Sequence, residues 1–213
     1  MIIALCSQKG GSGRTTTSVA LAVEWHTRKR KVLLVDTDPQ KSTLTWSAVA
    51  AEGKHGGPTA VAMGAGLSRK DQLPTLASGY QMVVIDGAPR NYDVMREALM
   101  VSDIALLTTG PGPTDVWALA ETVEVVRKAQ AVRRELKAAV LINRKQPRTA
   151  IGKGTRAALA QIGMPVLKTE LTYRVTYQEA LAYGMGPSTY APKSPAAEEI
   201  RTLATELEKL RRA

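Results

Sequence analysis

Gln8-Lys9-Gly10-Gly11-Ser12-Gly13-Arg14-Thr15-Thr16 packs three glycines, two cations and three hydroxyls into nine residues, directly after the short apolar run Ile2–Cys6. A strand that ends in a glycine-rich turn and runs into a helix leaves several backbone N–H groups pointing at one spot, with the helix dipole behind them. Phosphate is the ligand such a cradle holds. The usual pattern is Gly, four residues, then Gly-Lys-Ser/Thr; here Gln8 stands at the first glycine and Arg14 at the lysine. Further on, Val32-Leu33-Leu34-Val35 runs into Asp36-Thr37-Asp38-Pro39-Gln40, and Met82-Val83-Val84-Ile85 runs into Asp86. Two carboxylates one residue apart at the end of a buried strand are expensive unless something ionic meets them. A Mg2+ ion beside a triphosphate would do so. A helix N-cap plus a turn aspartate accounts for one of Asp36 and Asp38, but not for both. His26 and His55 lack cysteine or carboxylate company at ligand spacing, and the single cysteine, Cys6, has no nearby base, which argues against a metalloenzyme or a nucleophilic hydrolase.

The elements that must position these groups alternate along the chain. Val19, Ala20, Val23 and Trp25 give an apolar stripe that predicts a helix from Thr15 to about Lys29. The spacing predicts strands at Thr59 to Met63, Met82 to Ile85, Ile104 to Thr108, Ala138 to Asn143 and Val166 to Thr169. Helices are expected over Ser68 to Ala77 with Ser68 as N-cap, from Thr114 or Asp115 to about Arg134, over Thr149 to Ile162, and from Thr172 to about Tyr183. Ile200, Leu203, Leu207 and Leu210 share one helix face in the tail from Ala196 to Ala213. Four acids balance four bases there, so this helix is expected to pack on the body and not on a membrane. Continuous apolar strands with helices between them imply an α/β, doubly wound, mainly parallel sheet in one domain.

The run KGGxGxTT resembles the deviant Walker A motif of the ParA/MinD superfamily, in which Lys9 would be the early signature lysine. VDTDPQ, and the Leu44-Thr45-Trp46-Ser47 that follows, resemble the small, ParF-like members. The resemblance spans essentially the whole chain and implies ATP and Mg2+ as cofactors. On its pattern Lys9, Gly10, Gly11, Ser12, Gly13, Arg14, Thr15 and Thr16 would hold the phosphates. Thr15, Asp36 (through water) and Asp86 (the Walker B aspartate, followed by Gly87-Ala88-Pro89) would serve the metal. Lys9, Asp38 and Arg14 would act in hydrolysis, Asp38 by orienting the attacking water. Asn143-Arg144 matches the adenine-contacting position, and Asp115 with Trp117 matches a proline-containing loop with a part in dimer contacts. The implied protein is a partition ATPase: an ATP-sandwich homodimer with Lys9 reaching into the other subunit, bound to DNA non-specifically and released by hydrolysis that a small centromere-binding protein stimulates. A positioning ATPase carrying a protein cargo over the nucleoid is the alternative, working through a cargo adaptor. A third reading is a non-hydrolysing, ATP-gated DNA-binding switch, because arginine at 14 is longer and planar where a compact lysine would follow the phosphates. The motif starts at residue 9, so an N-terminal helix-turn-helix domain is not expected.

Charge adds a polyanion surface. The chain has 213 residues and a net charge of +10. Arg127 to Arg174 carries twelve bases against Glu135 and Glu170, and the remainder sums to zero. A neutral body with one basic segment fits nucleic acid better than a scattered solvated face does. Arg144, Lys145, Arg148, Lys153, Arg156, Lys168 and Arg174 are the candidate DNA contacts, Arg174 by its place in a segment resembling the family's I-T-Q-R stretch. A lone cysteine and the absence of a membrane-length apolar run point to a soluble, cytoplasmic, nucleoid-associated protein.

Overall fold

Strands such as Leu33–Val35, apolar at every position, have no face to give to water, so both sides of their sheet must be covered. The computed structural model describes residues 1–147 and 149–212, with residues 150–153 as backbone alone. Its elements are β1 (Ile2–Cys6), α1 (Arg14–Thr27), β2 (Val32–Asp36), α2 (Ser42–Glu52), β3 (Thr59–Ala62), α3 (Leu73–Ala77), β4 (Met82–Asp86), α4 (Tyr92–Val101), β5 (Ile104–Thr109), α5 (Pro113–Val132), β6 (Lys137–Lys145), α6 (Ala150–Ala160), β7 (Val166–Thr172), α7 (Val175–Ala182), α8 (Pro187–Tyr190) and α9 (Pro195–Arg212). The strands form one seven-stranded sheet in the order β3-β2-β4-β1-β5-β6-β7, and every pairing is parallel. This is the single-domain α/β fold expected from the alternating pattern.

Each face of the sheet has its own core. On one, Val19, Leu21 and Trp25 of α1 meet Ile200, Leu203 and Leu207 of α9. On the other, Val94 and Leu99 of α4 meet Val123 and Val126 of α5. Leu203 and Leu207 are fully buried, and each contributes about 2 kcal/mol by burial. The tail is therefore a packed helix, as its charge balance predicts. Trp25 Nε1 donates to Glu208 Oε1 at 2.8 Å, and Arg28 bridges Glu24 and Glu208. No described helix is long and apolar enough to cross a membrane.

Three stretches depart from expectation. Helix α3 begins at Leu73, not Ser68, because Pro74 at its first turn fixes the start. Ser68 caps no helix; its hydroxyl and N–H go to Glu97 of α4. Strand β7 continues to Thr172, since Tyr173 N–H still donates to Lys145 O of β6 at 2.9 Å, and α7 starts only at Val175. Helices α2 and α4 fill segments that carry no clear apolar period. The outer edge of β7 is closed without another strand: Glu206 of α9 accepts the N–H groups of Lys168 and Thr169 at 2.7 and 2.9 Å, and Glu199 accepts that of Thr172 at 3.1 Å.

Candidate phosphate and metal site

The turn after β1 uses glycine where the backbone demands it. Gly11 and Gly13 have φ of +74° and +82°, a region that costs other residues about 1 kcal/mol or more. Gly13 is the N-cap of α1, and no side chain caps that helix or places an acid in its first turn. The leading N–H groups thus keep their attraction for an anion. A Cβ at Gly13 would collide with the Asn143 amide, so the turn is also held tight against β6. Asn143 Nδ2 donates to Ser12 O at 3.0 Å and to Thr17 Oγ1 at 3.1 Å, while its Oδ1 accepts from Arg144 N at 2.8 Å.

The two cations of the loop are both answered within the chain. Arg14 is only 7 % exposed; its Nη1 donates to Ser7 O and, at 3.1 Å, to Lys9 O. Burial lowers its pKa, and the Asp86 carboxylate opposes that shift. Arg14 therefore belts the loop's own carbonyls. Lys9 lies on α5: its Nζ is 2.6 Å from Asp115 Oδ1 and 3.1 Å from Thr114 Oγ1. Gln8, between strand and cradle, donates its N–H to buried Thr122 Oγ1 at 3.2 Å and its amide to Met95 Sδ at 3.9 Å. The loop is thus fastened to both α4 and α5.

Parallel pairing sets Asp36 of β2 opposite Asp86 of β4, and partners in such a pair project on the same face. Asp36 Oδ2 accepts from Thr43 N at 2.9 Å and Leu44 N at 3.2 Å, and its Oδ1 accepts from Asp38 N at 3.0 Å. Asp86 accepts from Ser18 Oγ at 3.2 Å and Thr43 Oγ1 at 2.8 Å, with Thr15 a further hydroxyl donor. Burial pushes the Asp86 carboxyl up to about 6, against the pull of the Thr15 and Thr43 hydroxyls, and the Asp36 charge adds to the rise. Two buried neighbouring carboxylates with hydroxyls around them form an all-oxygen donor set, suited to a hard cation. Among the described residues no group of three or more His, Cys, Asp or Glu could hold a metal alone. This is the arrangement expected for Mg2+, which uses one or two carboxylates together with phosphate oxygens. Thr15, Asp36 and Asp86 fit that cation.

A cleft of about 580 Å3 opens over the loop, and it runs from Gly10–Thr17 past Asp38 and Pro89 to Asn143, Arg144, Tyr173, Arg174 and Gln178. Its size falls within the range of small-molecule sites. At its far end the Arg144 guanidinium lies 5.7 Å above the Tyr173 ring and donates to Gly11 O at 2.7 Å. The expected adenine position is therefore split: Arg144 borders the cleft, while the Asn143 amide serves the loop. Tyr173, Ser18, Thr43 and Thr122 were not identifiable from sequence, because each acts through contacts more than twenty residues away. Of the expected DNA contacts, Lys145 and Arg156 both pair with Glu170, Arg174 pairs with Glu199 at 2.9 Å, and Lys168 lines a groove beside α9. Arg148 and the Lys153 side chain lie outside the described residues.

Comparison with known proteins agrees with this geometry. Residues 3–188 match the family described as "CobQ/CobB/MinD/ParA nucleotide binding domain". The chain is 28 % identical to "Maintenance of carboxysome distribution protein A" of Halothiobacillus neapolitanus, over 96 % of this chain and 95 % of the relative. It is 28 % identical to "Chromosome-partitioning ATPase Soj" of Thermus thermophilus, over 96 % and 94 %. In fold it matches the septum site-determining protein MinD of Pyrococcus horikoshii, solved with Mg-ADP, at a TM-score of 0.76 and 23 % identity, covering 98 % of this chain and 96 % of that one.

Proposed function

Because the chain belongs to the CobQ/CobB/MinD/ParA nucleotide-binding family, we propose that it is an ATPase that uses Mg-ATP to bind DNA non-specifically as a dimer and so distributes a cargo. The observation that carries this reading is the conjunction at one end of the sheet: an uncapped glycine cradle on α1 beside the Asp36 and Asp86 pair. Thr15, Asp36 and Asp86 would hold the metal, which when bound neutralises developing phosphate charge. Asp38, half-buried at the mouth of the cleft, would orient water. Lys9 would leave Asp115 to meet the phosphates of a second subunit. Arg144 and Tyr173 would border the base. A centromere-binding or adaptor protein would stimulate turnover in the cytoplasm, over the nucleoid.

Cargo identity has two readings. DNA segregation draws on the likeness to Soj. Positioning of a protein body draws on the likeness to the carboxysome-distribution protein, which covers nearly the full length of both chains. Purified protein is titrated with DNA without nucleotide and with ADP, ATP or a non-hydrolysable analogue, at two salt concentrations, and phosphate release is counted in the same samples. Binding that requires ATP, weakens steeply with salt and accompanies phosphate release is the expected result; no nucleotide-dependent binding overturns it. Arg14→Lys is expected to raise phosphate release by roughly tenfold or more, since lysine can follow the phosphates. ATP-dependent binding with no release in either variant would instead make the protein a switch.

A further inference from the structure

Between α4 and α5, on the sheet face away from α9, runs a groove of about 1020 Å3 that the nucleotide chemistry leaves unused. Met100, Val125, Ala129 and Val132 line it with apolar surface; Val132 is 74 % exposed and Met100 39 %. Around them stand the carboxylates Asp93, Glu97, Glu121 and Glu124 against only Arg96 and Lys128. The groove is thus acidic on a chain of net charge +10.

We propose that this groove docks a helical segment of a partner protein, whose apolar stripe is flanked by lysine and arginine. Two neighbouring helices offer a trough with no sheet edge in it, so the complementary shape is a helix and not an added strand. Helix α4 has ten residues, about 15 Å, which sets the length of segment the trough can seat. The apolar residues of the segment cover Met100 and Val132, and its cations meet Glu121 and Glu124. The same charge excludes DNA, so the polyanion and the partner use different faces. The groove walls are the helices that fasten the cradle: Asp115 of α5 holds Lys9, Thr122 of α5 holds Gln8, and Met95 of α4 touches the Gln8 amide. A helix seated there bears on both anchors. This last step rests on the nucleotide reading above; the docking itself does not.

The test uses the full chain and a fluorescein-labelled peptide of about two heptads, with leucines on one helical face and lysines beside them. A scrambled peptide and a glutamate counterpart serve as controls, and anisotropy is read at physiological salt. The lysine helix should bind at least tenfold more tightly than either control. Val132→Asp and Glu124→Lys, both at exposed positions, should each weaken it by tenfold or more. Equal binding by the variants, or by the scrambled peptide, overturns the proposal. So does loss of a wild-type oligomer on Val132→Asp in sedimentation, which would assign the groove to a second copy of this chain. A fluorescent ATP analogue is titrated in the same samples: failure of wild type to bind it would strike the nucleotide reading, while the peptide series alone decides the groove.

Discussion

Asp86 ends β4 with its carboxyl at about 6, above the ordinary 3.8, and burial is the largest cause. A folded-state value above the unfolded one means that the folded chain holds the proton more tightly. Stability without nucleotide therefore falls as pH rises from 3.8 to about 6, and the penalty is fully present above that. A bound cation reverses the balance, because it needs the ionised form. Mg2+-dependent affinity for a fluorescent ATP analogue is expected to weaken as pH falls through about 6. Asp86→Asn should raise unfolding free energy at neutral pH by roughly 1–3 kcal/mol and abolish the Mg2+ dependence; denaturant melts and analogue titrations check both. Asp36 and Asp86 were legible because each closes an apolar run, a pattern written in consecutive residues. Ser18, Thr43 and Asn143, which hold these groups and the loop in place, were not, since nothing local marks a hydroxyl or amide that acts across the fold.

Helices and strands were legible where their period was unmixed. All seven strands and the amphipathic α9 stand close to their expected places. Boundaries shifted where tertiary bonds decided them, as at Thr172, kept in β7 by Glu199. Helix α9 closes the β7 edge with carboxylates, whereas open edges invite pairing with other chains. Glu206→Ala leaves two strand N–H groups without acceptors and is expected to cost about 1–3 kcal/mol, a fall of roughly 3–10 °C in Tm for a chain of this size. Calorimetry measures the loss, and light scattering on warming should show earlier aggregation. Unchanged Tm would mean that water replaces the carboxylate.

Across the whole molecule, the basic segment was legible as a count of charges but not as a free surface. Glu170 answers Lys145 and Arg156, and Glu199 answers Arg174, so three expected DNA contacts are engaged within the chain. Glu170→Gln should release two cations, tighten DNA binding at low salt, and steepen the plot of log affinity against log salt by about 1 to 2. An unchanged slope would place the DNA surface elsewhere. The Lys9–Asp115 ion pair matters most for timing. A subunit whose lysine is already answered at home gains little from meeting another copy until phosphates stand in the cleft. On the proposed reading, assembly is then second order in loaded subunits, and a shallow gradient of loaded protein along a cell becomes a steeper gradient of the DNA-bound form.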